Sequence, residues 1–195
     1  KLVGGFESQQ LIVLGARPGM GKSSAMGGWA VHVAKGYGAV PFFTLEMSSL
    51  ELAERIVCAE ARVDHRKFRR CELEGDDQAR LFAARVTLQG LPLYVMDAPG
   101  QTVQSMLSIC RRISRKHPLA CVMIDYLQLI EGPKSGTFNY SREQVVANIS
   151  RRLKFMAKEL NVPVIVGAQL NREAEARGAA GSAPRMADLR ESGAI

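Results

Sequence analysis

The stretch GARPGMGKSS, residues 15–24, decides how the rest of the chain is read. It falls one glycine short of the phosphate-loop pattern G-x-x-x-x-G-K-[ST], because Ala16 stands where the pattern asks for glycine. Its context is nonetheless that of a phosphate cradle. The apolar run LIVLG (11–15) precedes it, and a helical pattern opens at Lys22 and Ser23. In a strand–loop–helix of this kind, successive backbone N–H groups converge on an anion and the helix N-terminus adds partial positive charge. Gly19 and Gly21 admit positive φ angles and a close approach that a side chain would block, whereas alanine at 16 costs little if its φ stays negative. Pro18 stiffens the loop. We therefore expect Ala16, Arg17, Pro18, Gly19, Met20, Gly21, Lys22, Ser23 and Ser24 to bind a nucleotide. Lys22 is expected to reach the β- and γ-phosphates, and the Ser23 hydroxyl to bind Mg²⁺.

Outward from this loop, apolar runs alternate with amphipathic stretches. LIVLG, VPFFTL (40–45), LYVMD (93–97), ACVMID (120–125) and VPVIVGA (162–168) are rich in β-branched or aromatic residues. From 141 to 160, Val145, Ile149, Leu153, Met156 and Leu160 recur at three- and four-residue intervals, which predicts a helix. A second helix is predicted to open at Ser48, with Glu51 completing a capping box. Near-continuous apolar strands alternating with helices point to an α/β fold with a parallel sheet covered on both faces. Residues 131–140 and 178–184 read as polar or small-residue loops. The basic stretch HRKFRR (65–70) reads first as a solvated helix face, then as a subunit contact, and last as a DNA contact.

A chain of 195 residues and 21.3 kDa suits one domain with a sizeable core. Its net charge of +7 is compatible with a polyanionic partner or with an ordinary basic surface. The four cysteines show no metal-ligand spacing, and Cys110 and Cys121 sit in apolar contexts that suit buried thiols. No apolar run reaches the roughly 20 residues of a membrane span, so a soluble, cytoplasmic protein without membrane contact is expected.

A phosphate loop needs an acidic residue at the end of another strand to hold the water shell of Mg²⁺. Asp125, ending ACVMID, takes that role, or else merely begins a turn. Tyr126 follows it where many such proteins place a glutamate, so the base that activates water must come from elsewhere. Glu46 is the candidate, provided its strand neighbours the phosphate-loop strand; otherwise it is a carboxylate at a helix start. Gln169, just past VPVIVGA, reads as a γ-phosphate sensor or as a surface turn residue.

Taken together, GARPGMGKS, FFTLEMS (42–48), VMIDYLQLI (122–130), ISRRLKFMAKELNVPVI (149–165), GAQLNRE (167–173) and DLRESGAI (188–195) resemble successive motifs of the DnaB-type replicative DNA helicases. The resemblance spans nearly the whole chain, and that family carries alanine at the position of Ala16. It implies a RecA-like ATPase domain with a mostly parallel, twisted sheet and helices on both faces. The domain is expected to fill residues 1–195 as a segment truncated at both ends, normally part of the C-terminal half of a longer protein. Six such domains are expected to form a ring around single-stranded DNA, with ATP between neighbours driving 5′-to-3′ movement. Carried over by position, Glu46 activates water, Lys22 and Ser23 bind phosphate and Mg²⁺, Asp125 supports the metal, and Gln169 couples the γ-phosphate to the DNA loops. Arg190, Glu191 and Gly193 match the segment that holds the DNA backbone, largely through main-chain N–H groups.

The resemblance also implies a primase and a helicase loader as partners, in a bacterial cell or a phage-infected host. Two departures stand out. Ser182 and Ala183 precede Pro184 where the family often has a Lys-Arg pair, and the family's arginine finger is expected beyond DLRESGAI. An isolated segment should thus turn over ATP weakly, since such a finger contributes about 10³- to 10⁵-fold in well-studied GTPases. A DNA-repair or recombination ATPase with the same core is the alternative function.

Overall fold

The computed structural model describes residues 5–131 and 142–170. In chain order the elements are β1 (Leu11–Ala16), α1 (Lys22–Gly36), β2 (Val40–Thr44), α2 (Ser49–Ala61), α3 (His65–Arg69), α4 (Asp77–Gln89), β3 (Leu93–Met96), α5 (Val103–Ser114), β4 (Val122–Asp125), α6 (Arg142–Leu160) and β5 (Val164–Gln169). A single 3-10 turn, Leu127–Leu129, follows β4. The five strands form one parallel sheet in the order β1-β5-β4-β2-β3. This is the RecA-like α/β arrangement expected of the chain.

Each apolar run becomes a strand because both its faces are covered. On one side Phe43, Ile124, Val164 and Val166 pack against Met106 and Cys110 of α5 and Ile149, Leu153 and Met156 of α6. On the other, Phe42, Met123 and Ile165 pack against Met26 and Ala30 of α1 and Leu52 and Ile56 of α2. Adjacent residues of one strand therefore feed different cores, which is why the runs show no polar alternation. Pro41 is tolerated inside the sheet because the ladder between β2 and β4 begins only at Phe42↔Met123.

Three local expectations change. The fully buried stripe of α6 runs through Val146, Ile149, Leu153, Met156 and Ala157, while Val145 and Leu160 pack at its margins. The capping box at Ser48 is only half made. Ser48 accepts from the Glu51 N–H at 3.1 Å, but the Glu51 carboxylate turns to Arg55 at 2.7 Å instead of back to Ser48. Gln169 is the last residue of β5, so it is not a turn residue.

The basic stretch forms the short α3, where Lys67 pairs with Glu74 and Arg69 with Glu54. Cys58, Cys110 and Cys121 are buried free thiols, and desolvation pushes Cys110 and Cys121 up to about 12. Among the described residues no helix is long and apolar enough to cross a membrane. The loop expected at 178–184, and most of that at 131–140, lie outside the described residues, as do Arg190, Glu191 and Gly193.

Candidate nucleotide site

The C-terminal ends of the strands carry the site. β1 ends at Ala16, whose φ is not positive, and the chain then turns through Gly19 (φ 75°) and Gly21 (φ 80°). Gly21 is the N-cap of α1; it offers no side-chain cap, and the first turn of the helix holds no acidic residue. The leading N–H groups of α1 are thus left for an anion in the loop. Lys22 and Ser23 follow directly, so both side chains rise from the first turn of α1 beside the ends of β4 and β5.

Their partner is Asp125. Lys22 Nζ lies 2.9 Å from Asp125 Oδ1, and Ser23 Oγ donates to Asp125 Oδ2 at 2.5 Å. Asp125 is only 1% exposed, so it does not begin a solvent-facing turn. A carboxylate this deep needs a counter-charge, and Lys22 supplies it. The ammonium lies off the hydrogen-bonding direction of Oδ1, which leaves that oxygen in charge contact but without a hydrogen bond. The Tyr126 ring closes the other side of the ammonium, with Nζ 4.2 Å from its centroid.

Glu46 arrives by a route that the sequence does not suggest. β2 does not neighbour β1, since β5 and β4 stand between them. The segment after β2 instead folds back over the end of β4, and Glu46 Oε2 comes within 3.8 Å of Lys22 Nζ. Three contacts hold this segment. Leu45 N–H bonds the Asp125 carbonyl at 2.7 Å, Thr44 Oγ1 donates to the Met47 carbonyl at 2.8 Å, and Ser49 N–H donates to Asp97 Oδ2 at 2.7 Å. The Ser49 N–H also holds the Asp97 carboxyl below its ordinary pKa. The Glu46 side chain is 51% exposed, half open to water.

These groups border a cleft of about 360 Å³ whose walls are the loop from Ala16 to Ser24, Glu46, Met47, Arg55 and Gln169. Met20 is the loop residue that does not line it; it is 72% exposed. Arg55 and Gly167 escaped the sequence reading. Arg55 lies seven positions after Ser48, two turns along α2, and its spacing could have placed it on the cleft side. Gly167 sits inside β5. A Cβ there would lie 2.9 Å from Asp125 Oδ1 and 3.0 Å from Lys22 Cδ, so glycine clears the path of the lysine across the sheet. A glycine within an apolar strand was the available signal.

The donors present suit a nucleotide-bound Mg²⁺. Ser23 and Asp125 offer only oxygens, and Asp125 Oδ1 retains hydrogen-bonding capacity for a metal-bound water.

Comparison with known proteins places the whole chain in one family. The chain matches, over residues 1–195, the family described as DnaB-like helicase C terminal domain. A replicative DNA helicase DnaB of Geobacillus stearothermophilus is 39% identical over all of this chain and 42% of its own length. One from Synechocystis is 41% identical over all of this chain and 22% of its own length. The solved structure of a DnaB-like replicative helicase and its interactions with primase superposes with a TM-score of 0.90 and 33% identity, covering 98% of this chain and 45% of that one. This chain thus spans less than half the length of those relatives.

Proposed function

The chain belongs to the DnaB-like helicase C terminal domain family, and from that premise we propose that it is the ATP-hydrolysing motor of a replicative DNA helicase. One observation carries the proposal: Lys22, Ser23 and Glu46 line a single cleft at a helix N-terminus, and the buried Asp125, from a third part of the chain, holds Lys22 and Ser23 from beneath.

ATP is the substrate, with its β- and γ-phosphates in the loop between Ala16 and Ser24. The main-chain N–H groups of that loop and of the first turn of α1 take the phosphate oxygens. Lys22, now held by Asp125 and lying near Glu46, moves onto the β- and γ-phosphates. Ser23 and Asp125 would hold Mg²⁺, Ser23 by its hydroxyl and Asp125 through water. When bound, the metal neutralises charge on the phosphate oxygens. Glu46 accepts a proton from the water that attacks the γ-phosphorus; the bond to the β-bridging oxygen breaks, and ADP and inorganic phosphate are released. Its half-open carboxylate can reach such a water. Gln169, at the end of β5, contacts the γ-phosphate and relays its loss into the chain that follows.

The working assembly is a homo-hexameric ring on single-stranded DNA, moving 5′ to 3′. Arg190, Glu191 and Gly193 hold the DNA backbone, which suits a motor that passes over any sequence. Primase and a loader are partners; the relative solved to show its interactions with primase supports the first. A cytoplasmic location follows from this role.

The proposal is tested in the full-length protein by ATP hydrolysis with and without single-stranded DNA, and by strand displacement on forked DNA. Stimulation together with displacement that Lys22→Ala abolishes is the expected result. DNA-stimulated hydrolysis without displacement would assign the chain to a repair or recombination ATPase instead.

A further inference from the structure

Gln128 is a polar side chain that the mechanism above does not use, yet it is only 9% exposed. It lies in the 3-10 turn that follows β4. Its amide faces the main chain of Gln169: Nε2 donates to the Gln169 carbonyl at 3.2 Å, and Oε1 accepts from the Gln169 N–H at 3.4 Å.

The sheet explains why a side chain is needed there. Along a parallel strand, the N–H and C=O of one residue point to the same side, and successive residues alternate. The Val164 N–H bonds the Gln10 carbonyl and the Leu170 N–H bonds the Ala16 carbonyl, both toward β1. Gln169 is out of phase with these two and points toward β4. But β4 ends at Asp125, and its register with β5 runs only from Val122↔Val164 to Ile124↔Val166. The Gln128 amide stands where the next β4 residue would have been and meets both main-chain groups.

We propose that Gln128 is a positioning residue for Gln169, tying the end of the sensor strand to the segment that leaves Asp125. The segment that follows the metal-side carboxylate and the end of the sensor strand are then joined by this bond pair as well as by the sheet. The inference deepens the proposed function and rests on Gln169 acting as the sensor. Without the amide pair, the end of β5 loses its hold on the β4 side and keeps only its bonds to β1, so it can shift against Asp125 while the phosphate loop, on β1 and α1, stays in place. Nucleotide binding persists, and the message from nucleotide to DNA is weakened.

The test compares the wild type, Gln128→Leu, Gln128→Glu and Gln169→Ala in the full-length protein. The readout is the ratio of ATP hydrolysis with single-stranded DNA to that without, alongside the Kd for a fluorescent ATP analogue. A loss of folded protein lowers both rates together and leaves the ratio unchanged, so a merely structural role would not move it. Both Gln128 variants should lower the ratio about fivefold or more, the lower end of ordinary coupling between sites. Their Kd values should stay within about twofold of wild type, because the P-loop contacts are retained. Gln128→Glu keeps the shape and the acceptor for the Gln169 N–H, and it carries the test alone if Gln128→Leu does not fold. A wild-type ratio in the Gln128 variants, with a lowered ratio in Gln169→Ala, overturns the positioning role. A wild-type ratio in Gln169→Ala rejects the sensor itself, and the inference falls with it.

Discussion

Ser23 and Asp125, 102 positions apart in the chain, are joined by a hydrogen bond of 2.5 Å at the mouth of the sheet. This contact places the first turn of α1 against the end of β4, and the rest of the site is arranged around it. The same carboxylate takes Lys22, so one buried group organises both the proposed phosphate ligand and the proposed metal ligand.

Removing the cation should therefore destabilise the nucleotide-free protein as well as weaken binding. Breaking a buried ion pair from one side costs about 3–5 kcal/mol, and the mostly buried Lys22 should approach the lower figure. Urea unfolding of Lys22→Met is expected to show this loss. Adding Asp125→Ala should restore part of it, because the orphaned charge is then gone. Strictly additive losses would show that the two side chains do not interact.

Gly167→Ala should act on the same pair. The added methyl meets Asp125 Oδ1 and the Lys22 stem, and overpacking of this kind costs about 1–3 kcal/mol. Calorimetry should give a lower Tm, and titration a weaker nucleotide affinity. Unchanged affinity would mean that Lys22 reaches the phosphates along another path.

The strands were legible because each is a complete apolar run, and the phosphate loop because a helix opens directly behind it. Strand order was not. The segments before and after α1 are consecutive in sequence, yet β5 and β4 lie between β1 and β2. Local pattern carries no trace of that crossover, so the condition set for Glu46 fails while Glu46 still reaches the cleft. The unmade half of the capping box has a similar origin, since Glu51 has a competing cation one turn on. Arg55 and Gly167 left faint local signals, a spacing from Ser48 and a glycine inside an apolar run, whereas Gln128 owes its place to a contact between distant segments that its own neighbours in sequence do not announce.

Asp97 should contribute a pH-dependent share of stability. Its folded pKa lies below the ordinary value because the Ser49 N–H donates to it. A depressed carboxylate stabilises above the unfolded pKa, about 3.9, and loses that contribution as pH falls through the folded value. Asp97→Ala should therefore be less stable than wild type at neutral pH, with the gap closing in acid. A gap independent of pH would place the effect elsewhere.

Thiol labelling separates the cysteines. Cys71 is exposed, whereas Cys58, Cys110 and Cys121 are buried, with the thiols of Cys110 and Cys121 pushed up to about 12. Iodoacetamide at mildly alkaline pH should modify Cys71 alone in the native protein and all four cysteines after unfolding. Rapid native modification of Cys110 would contradict the packing of α5 on the sheet.

The most direct test of the motor chemistry is single-turnover ATP hydrolysis by Glu46→Gln in the assembled full-length protein, measured beside its nucleotide affinity. A carboxylate that takes the proton from water contributes about 10²- to 10⁴-fold, so hydrolysis should fall by that factor while affinity stays near wild type. Hydrolysis by this variant at the wild-type rate would contradict the account at its centre.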